Sequence, residues 1–309
     1  MYIKNSSYKR NNFICFGAVH FDNVLQLKKK HYNYRTNPII KSSYLGGVAY
    51  NIAKQFAILG AKSTLISLNC SNDIKNKIKN EKIIFKIINK KKLDRSYNSI
   101  INLKGEMILG LADMDNYEKK IVVKKNFFFN NNIIIFDLNF SYETIRYLVN
   151  QYYHNNIICI CGTSSHKIYK INTLIKKIDF LILNKQESFN LSNKKNINSS
   201  LRKIIKKNNK LTIVITNGKN SVKAYHERKI YTCKPPKIKI YNENKAGDIM
   251  SSFFYYFFFK GLDFKTILAK SVIAGSLHAS GYVSKKNEYL KMIDKLMKNI
   301  KIKTLDYYE

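Results

Sequence analysis

Residues 46–68 read GGVAYNIAKQFAILGAKSTLISL, and this stretch decides the fold class. From Val48 to Leu59 the apolar positions recur at helical spacing, and Gly60 ends the predicted helix as a left-handed C-terminal residue does. Residues 61–68 form a short apolar run, which predicts a buried strand directly after the helix. The stretch therefore predicts the helix-to-strand step from which parallel sheets are built.

The same alternation continues on either side of this stretch. Before it, residues 13–19 form a short apolar run that predicts a buried strand. After it come four short apolar runs, separated by polar stretches of helical character, at residues 133–136, 157–160, 180–183 and 211–215. Nearly continuous hydrophobic strands of this kind are expected in a parallel sheet that helices cover on both faces. We therefore predict an α/β fold, a doubly wound three-layer domain around a mostly parallel central sheet.

One segment departs from this rhythm. Tyr97–Leu103 and Met107–Leu111 flank a central Lys-Gly-Glu, as two strands flank the turn of a β-hairpin. The hairpin belongs to a small β appendage that we assign to about residues 30–45 and 93–118. No internal repeat and no linker divides the chain, so we expect residues 1–309 to form one domain that carries this appendage.

The composition limits the classes of partner. The formal net charge is +35, which would ordinarily indicate a polyanion as partner, but only six of the 55 basic residues are arginine. Sites that read bases or clasp phosphates favour arginine over lysine. A solvated lysine surface without specific nucleic-acid recognition is therefore the favoured interpretation, and a polyanion-binding protein stays open as an alternative that rests on charge alone.

Two further features of the composition bear on location. No apolar run reaches the length of a transmembrane helix and no signal segment opens the chain, so no membrane partner is expected. The five cysteines show neither a C-x-x-C pair nor the Cys/His spacing of a zinc site. We therefore expect reduced thiols and a cytoplasmic location.

The strongest local signal for chemistry is Asn-Lys-Ala-Gly-Asp at residues 244–248, followed at once by an apolar helix. Small residues allow close approach of a ligand, and the free N–H groups and positive dipole end of the helix attract anions. In phosphoryl transfer a base must also take the proton of the attacking hydroxyl, and Asp248 could be that base. Taken alone, the pentapeptide fits a helix-capping aspartate after a turn glycine better.

Two further signals lie at the ends of predicted strands. Asn184 and Glu187 follow residues 180–183, where an amide and a carboxylate would face a ligand crevice and hold magnesium waters near phosphates. A capping arrangement explains the same spacing and is favoured for an isolated pair. Thr216 and Gly218 follow the next strand and could wrap nucleotide phosphates, although a turn is the safer interpretation of these two alone.

The joint order of these signals resembles that of the ribokinase-like (PfkB) sugar and nucleoside kinases over nearly the whole chain. The landmarks that carry the resemblance are residues 17–22, 46–51, 184–187, 216–218 and 246–248. It implies a kinase that uses ATP and Mg²⁺ on a small-molecule substrate. Asp22 and Asn51 would then bind sugar hydroxyls, and Gly46 and Gly47 would let a β lid, the appendage, hinge over the substrate.

The resemblance also implies residues for the nucleotide and the metal. Asn184 and Glu187 would order magnesium and phosphate, with Glu187 as the residue nearest the metal. Thr216 and Gly218 would line the ATP site. Both pairs lie after strands of the predicted sheet, where the residues themselves indicated a ligand crevice.

By the same resemblance, Ala246 and Gly247 would form the anion hole beside the catalytic base Asp248, with Lys245 at the ATP phosphates. Two positions depart from the family pattern. Lys245 stands where the family usually has Gly or Ala, and Ser221 replaces a later Gly of the ATP loop. A catalytically impaired relative that only binds its ligand therefore stays open as an alternative.

Within the family, the chain resembles the pseudouridine kinases most. The resemblance rests on Arg-Thr-Asn-Pro at 35–38, Gly-Val-Ala-Tyr-Asn-Ile-Ala at 47–53 and the lid run ending Ala-Asp-Met-Asp-Asn-Tyr-Glu at 112–118. Asn139 and Lys167 lie in two shorter matching stretches and would bind the substrate. The implied reaction is ATP-dependent phosphorylation of the 5′-hydroxyl of pseudouridine. Other sugar or nucleoside acceptors, such as ribose, fructose or adenosine, stay open, as does a homodimer formed through the lid.

Overall fold

The computed structural model describes residues 12–89, 92, 95–121, 123, 127 and 129–307. Strands β1 to β14 cover, in order, Asn12–Phe16, His20–Leu27, Ile39–Gly46, Lys62–Ser67, Ile84–Ile87, Ser96–Ile101, Met107–Asp113, Ile133–Phe136, Ile157–Cys161, Phe180–Asn184, Thr212–Thr216, Val222–His226, Lys229–Cys233 and Ile302–Asp306. Helices α1 to α9 cover Val48–Ile58, Asn72–Lys79, Asp115–Glu118, Tyr142–Tyr152, Lys185–Ser192, Ile197–Lys207, Ala246–Phe259, Phe264–Ala279 and Lys286–Met297.

The larger of two sheets contains ten strands in the order β14-β13-β12-β11-β10-β9-β8-β1-β4-β5. From β11 to β5 every neighbouring pair is parallel, which confirms the predicted class of fold. Strands β12, β13 and β14 extend this sheet as an antiparallel edge that the sequence analysis did not predict. Their short segments mix lysines with apolar residues, so they lack the continuous hydrophobic runs of the central strands.

Successive side chains of a strand point to opposite sides of a sheet, so strands that are apolar throughout give the larger sheet two apolar faces. Helices cover both of these faces. In β1, Phe13 and Cys15 belong to the core shared with α1, α7 and α8. Ile14 and Phe16 belong to the core on the other face, which α4 and α6 share. This arrangement is the predicted three-layer α/β/α architecture.

Helix α7 is the most apolar helix of the fold and lies in the core. Its aromatic run packs around Phe180 of β10, whose ring makes edge contacts with Phe254, Tyr255, Phe258 and Phe259. The run is therefore part of the core. These contacts fix the helix on the sheet and thereby place its first turn at the carboxyl ends of the strands. No helix in the described part of the chain is long and apolar enough to cross a membrane.

The smaller sheet, called the small sheet below, has four strands in the order β3-β2-β6-β7. The predicted hairpin is confirmed as the antiparallel pair β6 and β7. Residues 93 and 94 of the predicted appendage lie outside the described residues. The prediction omitted β2: residues 20–27 form a strand of the small sheet, where we had expected only the end of the first strand. Polar residues within this segment, Asp22 and Asn23 among them, hid its strand character.

Candidate active site

A cavity of about 510 Å³ opens where the carboxyl ends of two central strands meet the start of α7. Asn184 ends β10 and Thr216 ends β11, and the two are register partners in the sheet. Gly218 follows β11, while Ala246 and Gly247 begin α7. All five residues line the cavity. The structure therefore brings together candidate residues from three distant segments of the sequence.

The walls of this cavity suit a nucleoside polyphosphate. Apolar side chains of Val222, Ile238 and Val272 line it together with the lysines Lys219 and Lys237. Apolar walls accept a flat heterocycle, and lysines near a helix N-terminus attract phosphate groups. Sequence reasoning missed these lining residues, because side chains from several segments share no periodic pattern that would mark them as neighbours.

Asp248 occupies the third position of α7 and does not cap its own helix. The N-cap residue is Lys245, which has a left-handed backbone with φ of 63° and makes no side-chain capping bond. Instead, Oδ2 of Asp248 accepts a hydrogen bond from Nδ2 of Asn51 on α1 at 2.7 Å. The capping interpretation favoured for the isolated pentapeptide is therefore wrong. The carboxylate is joined to a residue nearly two hundred positions away, as a site residue would be.

The surroundings of Asp248 raise its pKa. Burial raises the pKa of this carboxyl from its ordinary 3.8 to about 7, and the charges of Asp137 and Asp22 act in the same direction. The hydrogen bond from Asn51 and the charge of Lys245 oppose this rise. A carboxyl group with a pKa near 7 accepts and releases protons readily at neutral pH, which is what a general base needs.

Asp22 lies near the start of α7, on strand β2 of the small sheet. Its carboxylate packs against Gly46 of β3, where an added Cβ would collide with it. Oδ1 of Asp22 lies 3.0 Å from Nδ1 of His20, and Oδ2 lies 3.9 Å from Nζ of Lys245. Glycine at position 46 thus lets a carboxylate from the small sheet stand beside the first turn of α7.

The start of α1 is held by Asp137, a fully buried carboxylate just after β8. Its Oδ2 accepts hydrogen bonds from the backbone N–H of Ala18 at 2.9 Å and of Ala49 at 3.1 Å. Gly47 precedes the helix with φ of 109°, and an added Cβ there would collide with the carbonyl oxygen of Ala18. These contacts fix the first turn of α1 and hence the position of Asn51.

Asn139 and Lys167 form a polar pair next to this carboxylate. Nδ2 of Asn139 donates to Oδ2 of Asp137 at 3.0 Å, and Nζ of Lys167 donates to Oδ1 of Asn139 at 2.8 Å. Lys167 also lies 3.6 Å from Glu118, the last residue of α3. Asp137 therefore connects the candidate residues of α1 with those that follow β8. Sequence reasoning selected Asn139 and missed Asp137, although an aspartate directly after a fully apolar strand was a usable signal.

Comparison with known families decides the class of protein. The model of the pfkB family carbohydrate kinases matches residues 13–286. This chain belongs to the pfkB family. A 5-dehydro-2-deoxygluconokinase from Clostridium tetani (strain Massachusetts / E88) is 27% identical over an alignment of 294 residues, and the match covers 85% of this chain and 85% of that one. Kinases of the pfkB family are phosphotransferases that act on alcohol groups.

Solved structures of other kinases share the fold. A carbohydrate kinase from Agrobacterium tumefaciens superimposes with a TM-score of 0.76 at 19% identity, covering 96% of this chain and 100% of that one. Ribokinase from Thermotoga maritima superimposes with a TM-score of 0.71 at 14% identity, covering 92% of this chain and 99% of that one. The predicted ribokinase-like fold is thereby confirmed.

In this pfkB-family chain, Asn184 and Glu187 form a capping box at the start of α5. Oδ1 of Asn184 accepts from the Glu187 N–H at 2.9 Å, and Oε2 of Glu187 accepts from the Asn184 N–H at 2.7 Å. The capping interpretation favoured for the isolated pair is therefore confirmed. Burial raises the pKa of Glu187, whose carboxylate packs so closely against Gly162 that an added Cβ there would collide with it.

Kinases of the pfkB family generally use ATP with Mg²⁺. Among the residues that the structure describes, no group of three or more His, Cys, Asp or Glu side chains is arranged to hold a metal ion. A magnesium ion that accompanies ATP needs no such cage, because water and phosphate oxygens supply most of its ligands beside one or two carboxylates. Glu243 in the cavity wall is such a carboxylate, so the site fits this form of binding. Glu187, expected nearest the metal, is buried and is not among the residues that line the cavity.

Of the two departures from the family pattern, the structure shows what the side chain at Lys245 contacts. The Lys245 side chain, which the resemblance associated with the ATP phosphates, is absent from the residues that line the cavity. Its Nζ donates instead to the carbonyl oxygen of Leu45 on the small sheet, at 3.2 Å.

Helix α3, which follows β7, anchors the small sheet to the rest of the fold. The backbone N–H of Val19 donates to the hydroxyl of Tyr117, a fully buried side chain of α3, at 2.9 Å. Glu118 accepts from Nζ of the buried Lys170 at 2.7 Å. These two contacts fix the end of the chain segment that leaves β7, so the small sheet is held at a defined place beside the site.

Proposed function

We propose that this chain transfers the γ-phosphoryl group of ATP to the 5′-hydroxyl of pseudouridine. The observation that carries the proposal is the position of Asp248. Its carboxylate accepts a hydrogen bond from Asn51, and the nearby charge of Asp22 helps to raise its pKa. The first turn of its helix lines the nucleotide-sized cavity. A proton acceptor between an acceptor pocket and a phosphate site is the arrangement that phosphoryl transfer requires.

The geometry supports a direct transfer. The acceptor hydroxyl gives its proton to Asp248 as its oxygen bonds to the γ-phosphorus, and the bond from that phosphorus to the bridging oxygen of ADP breaks. Because Oδ2 of Asp248 accepts from Asn51, Oδ1 is the oxygen that would receive the proton. The N–H group of Gly247 at the helix start would stabilise the charge on the transferred group, whereas the N–H group of Ala246 donates to the carbonyl oxygen of Glu243 at 3.2 Å.

The residues also suit magnesium and ATP as cofactors. Mg²⁺ would neutralise charge on the phosphates when it is bound. Asn184 faces the cavity, and its capping box with Glu187 holds both residues in place. Thr216 and Gly218 line the same cavity and would contact the nucleotide.

Pseudouridine is proposed as the acceptor because a polar pair is available for its base. Lys167 can donate to a base carbonyl, while the amide of Asn139 can both donate and accept. The two are hydrogen-bonded to each other and linked through Asp137 to the helix that carries Asn51. A second candidate acceptor is the sugar derivative in the name of the Clostridium tetani relative, since that relative matches 85% of the chain.

The proposal is tested by magnesium-ATP turnover against pseudouridine, uridine, adenosine, ribose, fructose and 5-dehydro-2-deoxygluconate. We expect the highest kcat/KM for pseudouridine and loss of turnover in excess chelator. A higher kcat/KM for any other acceptor would overturn the substrate and leave the kinase class intact. Absence of turnover with every acceptor, in a protein that still binds ATP, would favour the impaired-relative alternative.

A homodimer through the small sheet, acting as the lid, belongs to the same proposal. Strand β7 is exposed along its whole length, and Met107, Leu109 and Leu111 are 63%, 48% and 48% exposed. An exposed edge strand with apolar side chains fits pairing with a second copy. Light scattering should show a dimer that Leu109→Lys weakens, and a monomer at all concentrations would contradict this part. A cytoplasmic location stays a prediction.

A further inference from the structure

Lys245 is an unusual residue for its backbone position. It is the N-cap of α7 and has φ of 63°, in the left-handed region that glycine adopts easily and lysine rarely adopts. A lysine that the local backbone disfavours needs an explanation from its side chain. The side chain is 26% exposed, so its ammonium group is accessible without being fully hydrated.

The ammonium group of Lys245 contacts residues of the small sheet. Its Nζ donates to the carbonyl oxygen of Leu45 at 3.2 Å and lies 3.9 Å from Oδ2 of Asp22. The cavity assigned to the nucleotide is lined by the next two residues of the chain, Ala246 and Gly247, and not by Lys245. The same segment therefore faces the nucleotide with its backbone and the acceptor side with this lysine.

The separation of 3.9 Å between Nζ of Lys245 and Oδ2 of Asp22 is too long for a direct hydrogen bond. One hydroxyl oxygen placed about 2.8 Å from each atom would fill the gap at ordinary hydrogen-bond lengths. The chemistry is complementary as well, because the carboxylate only accepts, the ammonium only donates, and a hydroxyl group does both. Lys245 has three N–H donors, of which Leu45 takes one.

We propose that Lys245 and Asp22 together bind one hydroxyl of the acceptor, which donates to Asp22 and accepts from Lys245. This inference rests on the proposed function and adds a specificity-determining residue to it. The pair selects a hydroxyl over a hydrogen, which makes neither bond, and over an ether oxygen, which cannot donate. It rejects an ammonium group, which Lys245 would repel. Lys245 thus acts on the acceptor and not on the phosphates of ATP.

The experiment compares wild type with Lys245→Met, which keeps the length of the side chain and removes its charge. Titration calorimetry without ATP measures binding of pseudouridine, ribose and the 2′-deoxy and 3′-deoxy analogues of pseudouridine. We expect wild type to bind one deoxy analogue about 10-fold to 100-fold more weakly than the parent, the worth of hydrogen bonds to charged groups. Lys245→Met should weaken parent binding by a similar factor and lose discrimination against that analogue.

Two further variants make the result decisive. Lys245→Gly relieves the left-handed backbone and should fold at least as well as wild type, yet it should lose the same discrimination. Lys270→Met removes a lysine that pairs with Asp294 on the surface and serves as the matched control. Its acceptor affinity should equal that of wild type.

Three outcomes would overturn the inference. Unchanged or tighter acceptor binding by both Lys245 variants would show that the lysine does not bind the acceptor. A weakened ATP affinity with unchanged acceptor affinity would assign it to the phosphates. Absence of binding by all the acceptor probes would remove the pocket itself. Acceptors that bind to wild type without being phosphorylated would contradict the proposed function alone, and the comparison of variants would still stand.

Discussion

Helices α5 and α7 both begin at the carboxyl ends of the larger sheet, and both carry a carboxylate at their third position. In α5, Glu187 bonds back to the N-cap residue of its own helix at 2.7 Å. In α7, Asp248 makes no capping bond and accepts from Asn51 of another helix at 2.7 Å. The carboxylate at the third position therefore caps α5, whereas the start of α7 has no side-chain cap and stays available for ligands.

The difference follows from the N-cap residues. Asn184 has an extended backbone and a side-chain oxygen that accepts from the third N–H group, so the reciprocal box with Glu187 forms. Lys245 has a left-handed backbone and a side chain with donors only, so no such box can form at α7. A carboxylate at a helix start is thus a candidate for catalysis when its own helix offers it no capping partner.

The sharpest test of this comparison is Asp248→Asn. Loss of the proton acceptor should lower kcat by about 10²-fold to 10⁴-fold, the usual worth of general-base catalysis, while ligand binding survives. The matched control is Asp263→Asn at the N-cap of α8, because asparagine caps a helix as well as aspartate does. Steady-state kinetics with purified variants measure both effects. A near-normal kcat for Asp248→Asn at unchanged melting temperature would reduce Asp248 to a structural residue.

The raised pKa of Asp248 predicts a pH dependence. Since the base must be deprotonated, kcat/KM for the acceptor should fall about tenfold per pH unit below about 7. Stability should change in the opposite sense, because a raised pKa stabilises the fold below the ordinary pKa of 3.8 and this contribution is lost as pH rises through about 7.

The stability effect is measured as melting temperature against pH for wild type and Asp248→Asn. Asparagine mimics the protonated carboxyl group, so the variant should become the more stable protein as pH rises from 3.8 to about 7. Parallel melting curves over this range, together with a flat rate profile, would show that the carboxyl titrates normally.

Removal of the partner of Asp248 should give a smaller effect. Asn51→Ala leaves the carboxylate without its donor and removes a proposed sugar contact, which together cost about 1–3 kcal/mol in the complex. We therefore expect a higher KM for the acceptor and an unchanged KM for ATP. Asn150→Ala, at an exposed amide that pairs with Lys177, is the control. Equal effects on both KM values would place Asn51 outside the acceptor pocket.

The smallest expected effect is at α5. Glu187→Ala removes the capping box and should lower the free energy of unfolding by about 0.5–2 kcal/mol. Asp248→Ala removes no cap and should not lower it by that mechanism. Urea unfolding followed by circular dichroism compares the two variants. Should Asp248→Ala prove as destabilising as Glu187→Ala, the contrast between the two helix starts would fail.

Much of the fold could be predicted from hydrophobic pattern. Strand β8 reads Ile-Ile-Ile-Phe, is fully buried, and was predicted with the same bounds that the structure shows. Strand β2 was missed because a strand of a small, half-exposed sheet carries no continuous apolar run. The antiparallel edge β12 to β14 was missed because its strands also lack a continuous apolar run.

Candidate residues could be predicted where small residues and carboxylates follow apolar strands, as at Thr216, Gly218 and Asn184. Such signals mark the edge of a sheet where ligands bind. They do not indicate which side chains meet, since contacts between distant segments depend on packing. The contacts by which Asp137 joins distant segments, and the direction of the Lys245 side chain, could therefore not be predicted.

The sequence by itself determined the α/β class, the family and the segments that form the site, because these depend on local periodicity and on residues that lie near one another in the chain. Tertiary structure decided what each carboxylate does. Asp248 bonds to Asn51, Glu187 bonds to its own helix, and Asp137 joins β1, α1 and the turn after β8. The physical reason is that hydrogen bonding and burial, which set both orientation and pKa, arise from neighbours that only the folded chain brings together.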